Sequence, residues 1–138
     1  MALIRTEIPI AAAPAAVWEV IRDFPAGPRR MAPGFVVGCQ ADADVRVVTF
    51  ADGMVARERL VTVDDDERRL VYAVIGGSVR PDHDTASMQV IPDAGGGSRL
   101  VWIHDVRPDD LAPAFRAAME HGGEVIKRTL GGLDASAA

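Results

Sequence analysis

Residues 84–106, DTASMQVIPDAGGGSRLVWIHDV, hold two alternating runs on either side of a glycine-rich break, and they decide the fold. In residues 84–91, Asp84, Ala86, Met88 and Val90 fall on one side, with His83, Thr85, Ser87 and Gln89 on the other. In residues 100–106 the corresponding set is Leu100, Trp102, His104 and Val106. Side chains alternate across a strand, so each set shares one face, and the apolar members turn that face inward. The break at residues 93–97, DAGGG, is too short for a crossover, so the two runs pair antiparallel. It also lacks the following Lys and helix of a phosphate-cradling loop.

Four more β-rich runs precede this hairpin, at residues 35–40, 45–51, 54–63 and 70–75. Turn signals separate them, and Asp52-Gly53 predicts a two-residue type I′ hairpin because glycine tolerates positive φ. Six successive runs with short links make an antiparallel meander, not alternating β-α-β units. Further out, residues 3–10 place Ile4, Thr6, Ile8 and Ile10 opposite Arg5 and Glu7, the pattern of a seventh strand. Pro14 suits the first turn of a helix carrying Val17, Val20, Ile21 and Phe24 at helical spacing. Residues 25–34 read as a loop or a short second helix. After Pro108, Asp109 or Asp110 is placed to cap a long final helix. Its inner stripe is Leu111, Phe115, Ala118, Met119, Gly122, Ile126 and Leu130. Gly122-Gly123 costs that helix about 1 kcal/mol per residue relative to Ala. With few aromatic residues elsewhere, the pair points to an incompletely filled interior.

The class is therefore α+β: a seven-stranded curved antiparallel sheet around a long C-terminal helix, with short N-terminal helices and an internal cavity. Residues 1–133 are expected to form one domain, and residues 134–138 a flexible tail. The chain has 138 residues, 49% apolar, and a formal net charge of −5. That acidic balance argues against nucleic acid and anionic membranes as partners. No apolar stretch reaches the roughly 20 residues that span a bilayer, so integral membrane association is not expected. The N-terminus does not read as a signal peptide, and the expectation is a cytoplasmic protein. Cys39 is alone, and no Cys/His spacing suits a metal, so no metal or cofactor is expected. Self-association into a homodimer stays open.

Residues 8–24, IPIAAAPAAVWEVIRDF, resemble the opening of the START-like, or SRPBCC, superfamily, in its bacterial branch of polyketide cyclase/dehydrase and lipid transport proteins. Ala51-Asp52-Gly53 leading to Glu58-Arg59-Leu60, the acidic turn before Leu70-Val71-Tyr72, and Leu100-Val101-Trp102 resemble the same branch. The likeness runs from about Leu3 to Leu133. It implies the helix-grip fold, a deep pocket between sheet and final helix, and a hydrophobic small molecule as partner. Two positions depart from the pattern. Arg29-Arg30-Met31 stands where such proteins often carry Trp, and Gly123 where a large apolar residue is usual.

Pairing Val90 with Leu100 puts His104 opposite Ala86 and diagonal to Asp84, within side-chain reach. A carboxylate that orients an imidazole is an acid/base pair, which makes Asp84 and His104 the candidate catalytic residues. The alternative leaves Asp84 at the solvent-exposed rim and His104 satisfying a backbone group. Glu58 and Arg46 lie on strands, and could meet a ligand or each other. Tyr72 shares a face with Leu70 and Val74, which turns its ring inward. Met88, Trp102, Phe115, Met119, Gly122 and Ile126 complete the candidate ligand-binding set with Glu58 and Tyr72. His83 and His121 read as exposed. The acidic run at residues 64–67 reads as a solvated turn, not a metal site. Two functions fit: a cofactor-free enzyme that cyclises or dehydrates a polyketide-like substrate with acid/base groups in the pocket, or a non-catalytic carrier or sensor of a lipid or small ligand.

Overall fold

The computed structural model describes residues 1–133, and the tail expected at 134–138 lies outside them. Seven strands form one antiparallel sheet: β1 (Ala2–Ile10), β2 (Val36–Asp42), β3 (Val45–Phe50), β4 (Val55–Asp64), β5 (Arg69–Gly77), β6 (His83–Pro92) and β7 (Ser98–Arg107). Their spatial order is β1-β7-β6-β5-β4-β3-β2, so the meander runs unbroken from β2 to β7, and β1 closes on β7. Helices α1 (Pro14–Ile21) and α2 (Gly27–Met31) fill the connection from β1 to β2, and α3 (Ala112–Leu130) follows β7. Of the possible registers of the central hairpin, the structure takes the one with Val90 opposite Leu100 and Ala86 opposite His104. Register shifts between Val36 and Gly38, between Arg57 and Glu58 and between Leu60 and Thr62 interrupt the ladders. Such bulges bend and twist a strand, and here they help the sheet to curl.

The concave face carries Ile8, Leu70, Met88, Val90 and Leu100, packed in one cluster with Val17 and Ile21 of α1 and Ile126 and Leu130 of α3. A smaller cluster at the other end joins Ile4, Val106, Ala112 and Met119, with Phe115 against it. Asp65, in the acidic turn, is more than solvated. Its Oδ1 accepts from Trp18 Nε1 and from Arg22 Nε, both at 2.9 Å, and clasps the end of α1 to the β4–β5 turn.

Four local expectations are corrected. The turn after β3 is not type I′: Gly53 has φ +89°, whereas Asp52 is not left-handed. Gly53 N donates to Phe50 O and Phe50 N to Met54 O, a three-residue loop in which only the last position needs glycine. Asp109 and Asp110 do not cap α3; they form a 3₁₀ turn ahead of it, and Leu111 occupies the cap position with no side-chain bond. Asp109 instead pairs with the amino group of Met1 at 3.0 Å. Ala118 is exposed, because the stripe facing the sheet runs through Met119, Gly122, Gly123, Ile126 and Leu130, one step round the helix. Finally, Gly122 and Gly123 leave no room for a side chain of their own, although Gly122 stands on a cavity wall. A Cβ at Gly122 would stand 3.0 Å from the Phe35 ring, and one at Gly123 would stand 3.2 Å from Ile8 Cδ1. The missing side chains let α3 lie close on β1 and on Phe35, and that approach offsets their poor helix propensity.

Candidate functional site

Among the described residues, the buried side chains that are charged or wholly polar are Arg46, Glu58, Asp84, Ser98 and His104. Ser98 is committed to the backbone, donating to Ala12 O at 2.6 Å. The other four point inward because the alternation that buries their apolar neighbours on β3, β4, β6 and β7 leaves them no other side. With Tyr72 from β5 they form a polar band across the concave face.

A cavity of about 60 Å³ lies over this band. Met31, Phe35, Val48, Phe50, Met88 and Ile126 supply its apolar walls, and Arg46, Glu58, Tyr72 and Trp102 its polar floor. Among the candidate ligand-binding residues, Glu58, Tyr72, Met88, Trp102, Gly122 and Ile126 stand on the wall. Phe115 and Met119 do not, since the first half of α3 passes over the smaller cluster at Ile4 and Val106. Arg46 is readable from its strand position and Met31 from its departure from the family pattern, but neither Met31 nor Phe35 is marked as a wall residue by the sequence. They come from α2 and the loop after it, where no periodicity marks an inward face.

Arg46 and Glu58 are directly opposite on β3 and β4, which makes them a cross-strand pair. Arg46 Nε donates to Glu58 Oε1 at 2.8 Å and Nη1 to Phe24 O at 3.0 Å. The guanidinium also lies 4.4 Å from the centroid of the Phe24 ring and 5.1 Å from that of Tyr72, within cation–π range. Burial pushes the Glu58 carboxyl above the usual carboxylate range, against the pull of Arg46. Between the ordinary carboxylate value and the raised one, the folded state therefore binds the Glu58 proton more firmly than the unfolded chain does. Stability linked to Glu58 is complete below the ordinary carboxylate value and is lost as pH rises through the raised one. Glu58→Gln, which has no such proton to lose, is expected to gain in Tm relative to the parent as pH rises above the ordinary carboxylate value of about 4. Parallel melting curves at every pH would show that burial does not control this carboxyl.

Asp84 and His104 meet one layer deeper. His104 Nδ1 and Asp84 Oδ1 are 2.7 Å apart, and the Asp84 side chain has no exposed surface. Its Oδ2 is the one fully buried side-chain oxygen or nitrogen without a partner among the described residues. Asp84 is thus not at a solvent-exposed rim, and His104 serves a side chain and not a backbone group. The imidazole sits among Tyr72, Trp102 and Phe115, with ring centroids at 5.9, 5.8 and 5.6 Å. On its other side Nε2 lies 3.4 Å from the Tyr72 hydroxyl, which also accepts from Trp102 Nε1 at 3.3 Å. Both bonds are long, but their directions are consistent. Asp84 and His104 do not line the cavity, and they connect to it through Tyr72. Burial drives the Tyr72 hydroxyl pKa far upward, so this group stays protonated.

A wider groove runs along Pro9–Ala12, the loop before β7 and the last turns of α3, but it is open to solvent. His83 and His121 are exposed, and among the described residues no three His, Cys, Asp or Glu side chains converge as metal ligands. No described helix is long and apolar enough to cross a membrane.

No curated protein matches this sequence. Solved structures share the fold at low identity. The protein XoxI of Bacillus cereus is 20% identical with a TM-score of 0.84, over 94% of this chain and 96% of its own. An uncharacterised protein of Bacillus thuringiensis is 18% identical with a TM-score of 0.83, over 94% and 98%. A protein of Nitrosospira multiformis is 14% identical with a TM-score of 0.76, over 94% and 96%. These similarities carry the helix-grip architecture and nothing finer. The model of one family covers residues 1–138, and the chain belongs to that family, described as polyketide cyclase/dehydrase and lipid transport.

Proposed function

We propose that the protein binds a small, mainly hydrophobic molecule in the cavity between the sheet and α3, with the ligand's polar group on the floor formed by Arg46, Glu58 and Tyr72. The observation that carries this reading is the junction of apolar walls with a buried polar floor in one partly open cavity. Ligand pockets commonly combine apolar walls with a few fixed polar groups. A second reading, as a cofactor-free cyclase or dehydratase, draws on the Asp84–His104–Tyr72 chain. In it Tyr72 is the group beside the substrate, and His104 and Asp84 act behind it.

The five methionines give an internal control. Toluene added to protein carrying ¹³C-methyl methionine is expected to move the resonances of Met31 and Met88, which line the cavity. Met119, in the smaller cluster, and the exposed Met54 are expected to stay in place. Shifts at Met119 alone, or equal shifts at every methionine, would place the binding space elsewhere.

A further inference from the structure

Two of the five Arg46 N–H groups and the single one of Trp102 are turned onto the protein itself. Arg46 spends Nε on Glu58 and Nη1 on the Phe24 carbonyl. Trp102 spends its single N–H on Tyr72. The direction of the Tyr72 hydroxyl follows from the buried groups behind it. A carboxylate is an acceptor only, so the 2.7 Å contact with Asp84 puts the hydrogen on His104 Nδ1. In the neutral imidazole Nε2 is then an acceptor, and Tyr72 O–H donates to it. The Tyr72 oxygen accepts from Trp102 and keeps one lone pair.

We infer that the cavity selects ligands bearing a hydroxyl or N–H donor, which bonds to the Tyr72 oxygen, and that Asp84 and His104 are positioning residues that hold this oxygen as an acceptor. The inference rests on the proposed use of the cavity and names the chemistry of its polar end. A ligand that offers only a carbonyl or ether oxygen meets Tyr72 lone pair to lone pair. The same ligand would fit once the hydroxyl hydrogen turned toward the cavity, and His104 prevents that turn. The pair thus acts on specificity without touching the ligand.

The test compares p-cresol with 4-methylanisole, two para-substituted toluenes of similar shape, of which only the first has an O–H. Titrations followed at the Met31 and Met88 methyls are expected to give p-cresol about a tenfold lower Kd, the scale of one hydrogen bond. In His104→Phe the Tyr72 hydroxyl loses its internal acceptor and turns outward, so the preference is expected to vanish or reverse. Tyr72→Phe is expected to bind both probes alike. A measurement on the parent needs no variant to fold: the ¹⁵N spectrum of His104 should show Nδ1 protonated and Nε2 bare. A hydrogen on Nε2 instead, or equal affinity of the parent for the two probes, overturns this inference and leaves the cavity reading standing. Absence of any shift at Met31 and Met88 with either probe overturns both.

Discussion

Glu58→Leu is expected to lower the stability of the fold by about 3–5 kcal/mol, and Arg46→Met by distinctly less. Both residues are buried, with 3% and 6% of their surface exposed for Arg46 and Glu58, and they meet at 2.8 Å. The asymmetry comes from what each survivor can do. A carboxyl left without its cation takes up a proton and becomes a neutral group, the direction in which burial already pushes Glu58. A guanidinium left without its carboxylate has no such escape, because arginine stays charged in proteins. It would retain only the Phe24 carbonyl and the faces of two aromatic rings. The double variant Arg46→Met/Glu58→Leu is expected to recover most of the loss, since a buried ion pair exchanged for apolar packing is often neutral. Urea unfolding of the three variants measures the cycle. Equal losses from the two single substitutions would mean that charge burial is not what distinguishes the partners.

Gly123→Leu is expected to destabilise by about 2–3 kcal/mol despite the better helix propensity of leucine. The Cβ alone would approach Ile8 Cδ1 to 3.2 Å and Thr6 Cγ2 to 3.8 Å, so the rest of the side chain has no place between α3 and β1. The helix must lift from the sheet or Ile8 must leave its position in the core. Gly123→Ala separates the two effects. It asks only a small shift of a flexible Ile8 end, and its gain of about 1 kcal/mol in propensity should nearly balance that strain. Chemical denaturation would show leucine well below alanine. A leucine variant as stable as the parent would mean that space beside the helix exists after all.

The fate of this glycine pair marks a boundary of what the residues disclose. Two glycines on the inner stripe of a helix signal that something other than propensity is served, yet a void and a close approach leave the same trace in a sequence. The two inward faces of the central hairpin were legible, because clean alternations on either side of a short turn bury both apolar rows together. A slip of two residues keeps the same faces, however, and the register itself comes from the structure. The contact between Asp84 and His104 followed from that register. Their depth did not: alternation assigns a face and says nothing of the Tyr72 ring that stands between His104 and the cavity. The stripe of α3 was legible in the same partial way. Periodicity grouped Phe115, Met119, Gly122 and Ile126, but where each turn lands along the sheet depends on how the helix crosses it. Asp110 failed as a cap for a local reason, because a 3₁₀ turn intervened where an ordinary cap was expected.

The seat of β1 beside β7 also bears on how the molecule is made. β1 precedes the meander in the chain, and its ladder partners run from Ser98 to Val106. Even the bond that fastens its exit, from Ser98 to Ala12, joins residues 86 positions apart. Nearly the whole meander must therefore leave the ribosome while this strand waits without its ladder, and pairings so distant in the chain make folding slow. A waiting apolar strand invites neighbours of the wrong kind. Its outward face carries Arg5, Glu7 and Pro9, two charges and a residue with no amide hydrogen, the features that discourage edge-to-edge association. The same three residues guard the outer edge of β1 in the finished sheet, where it stands last in the strand order.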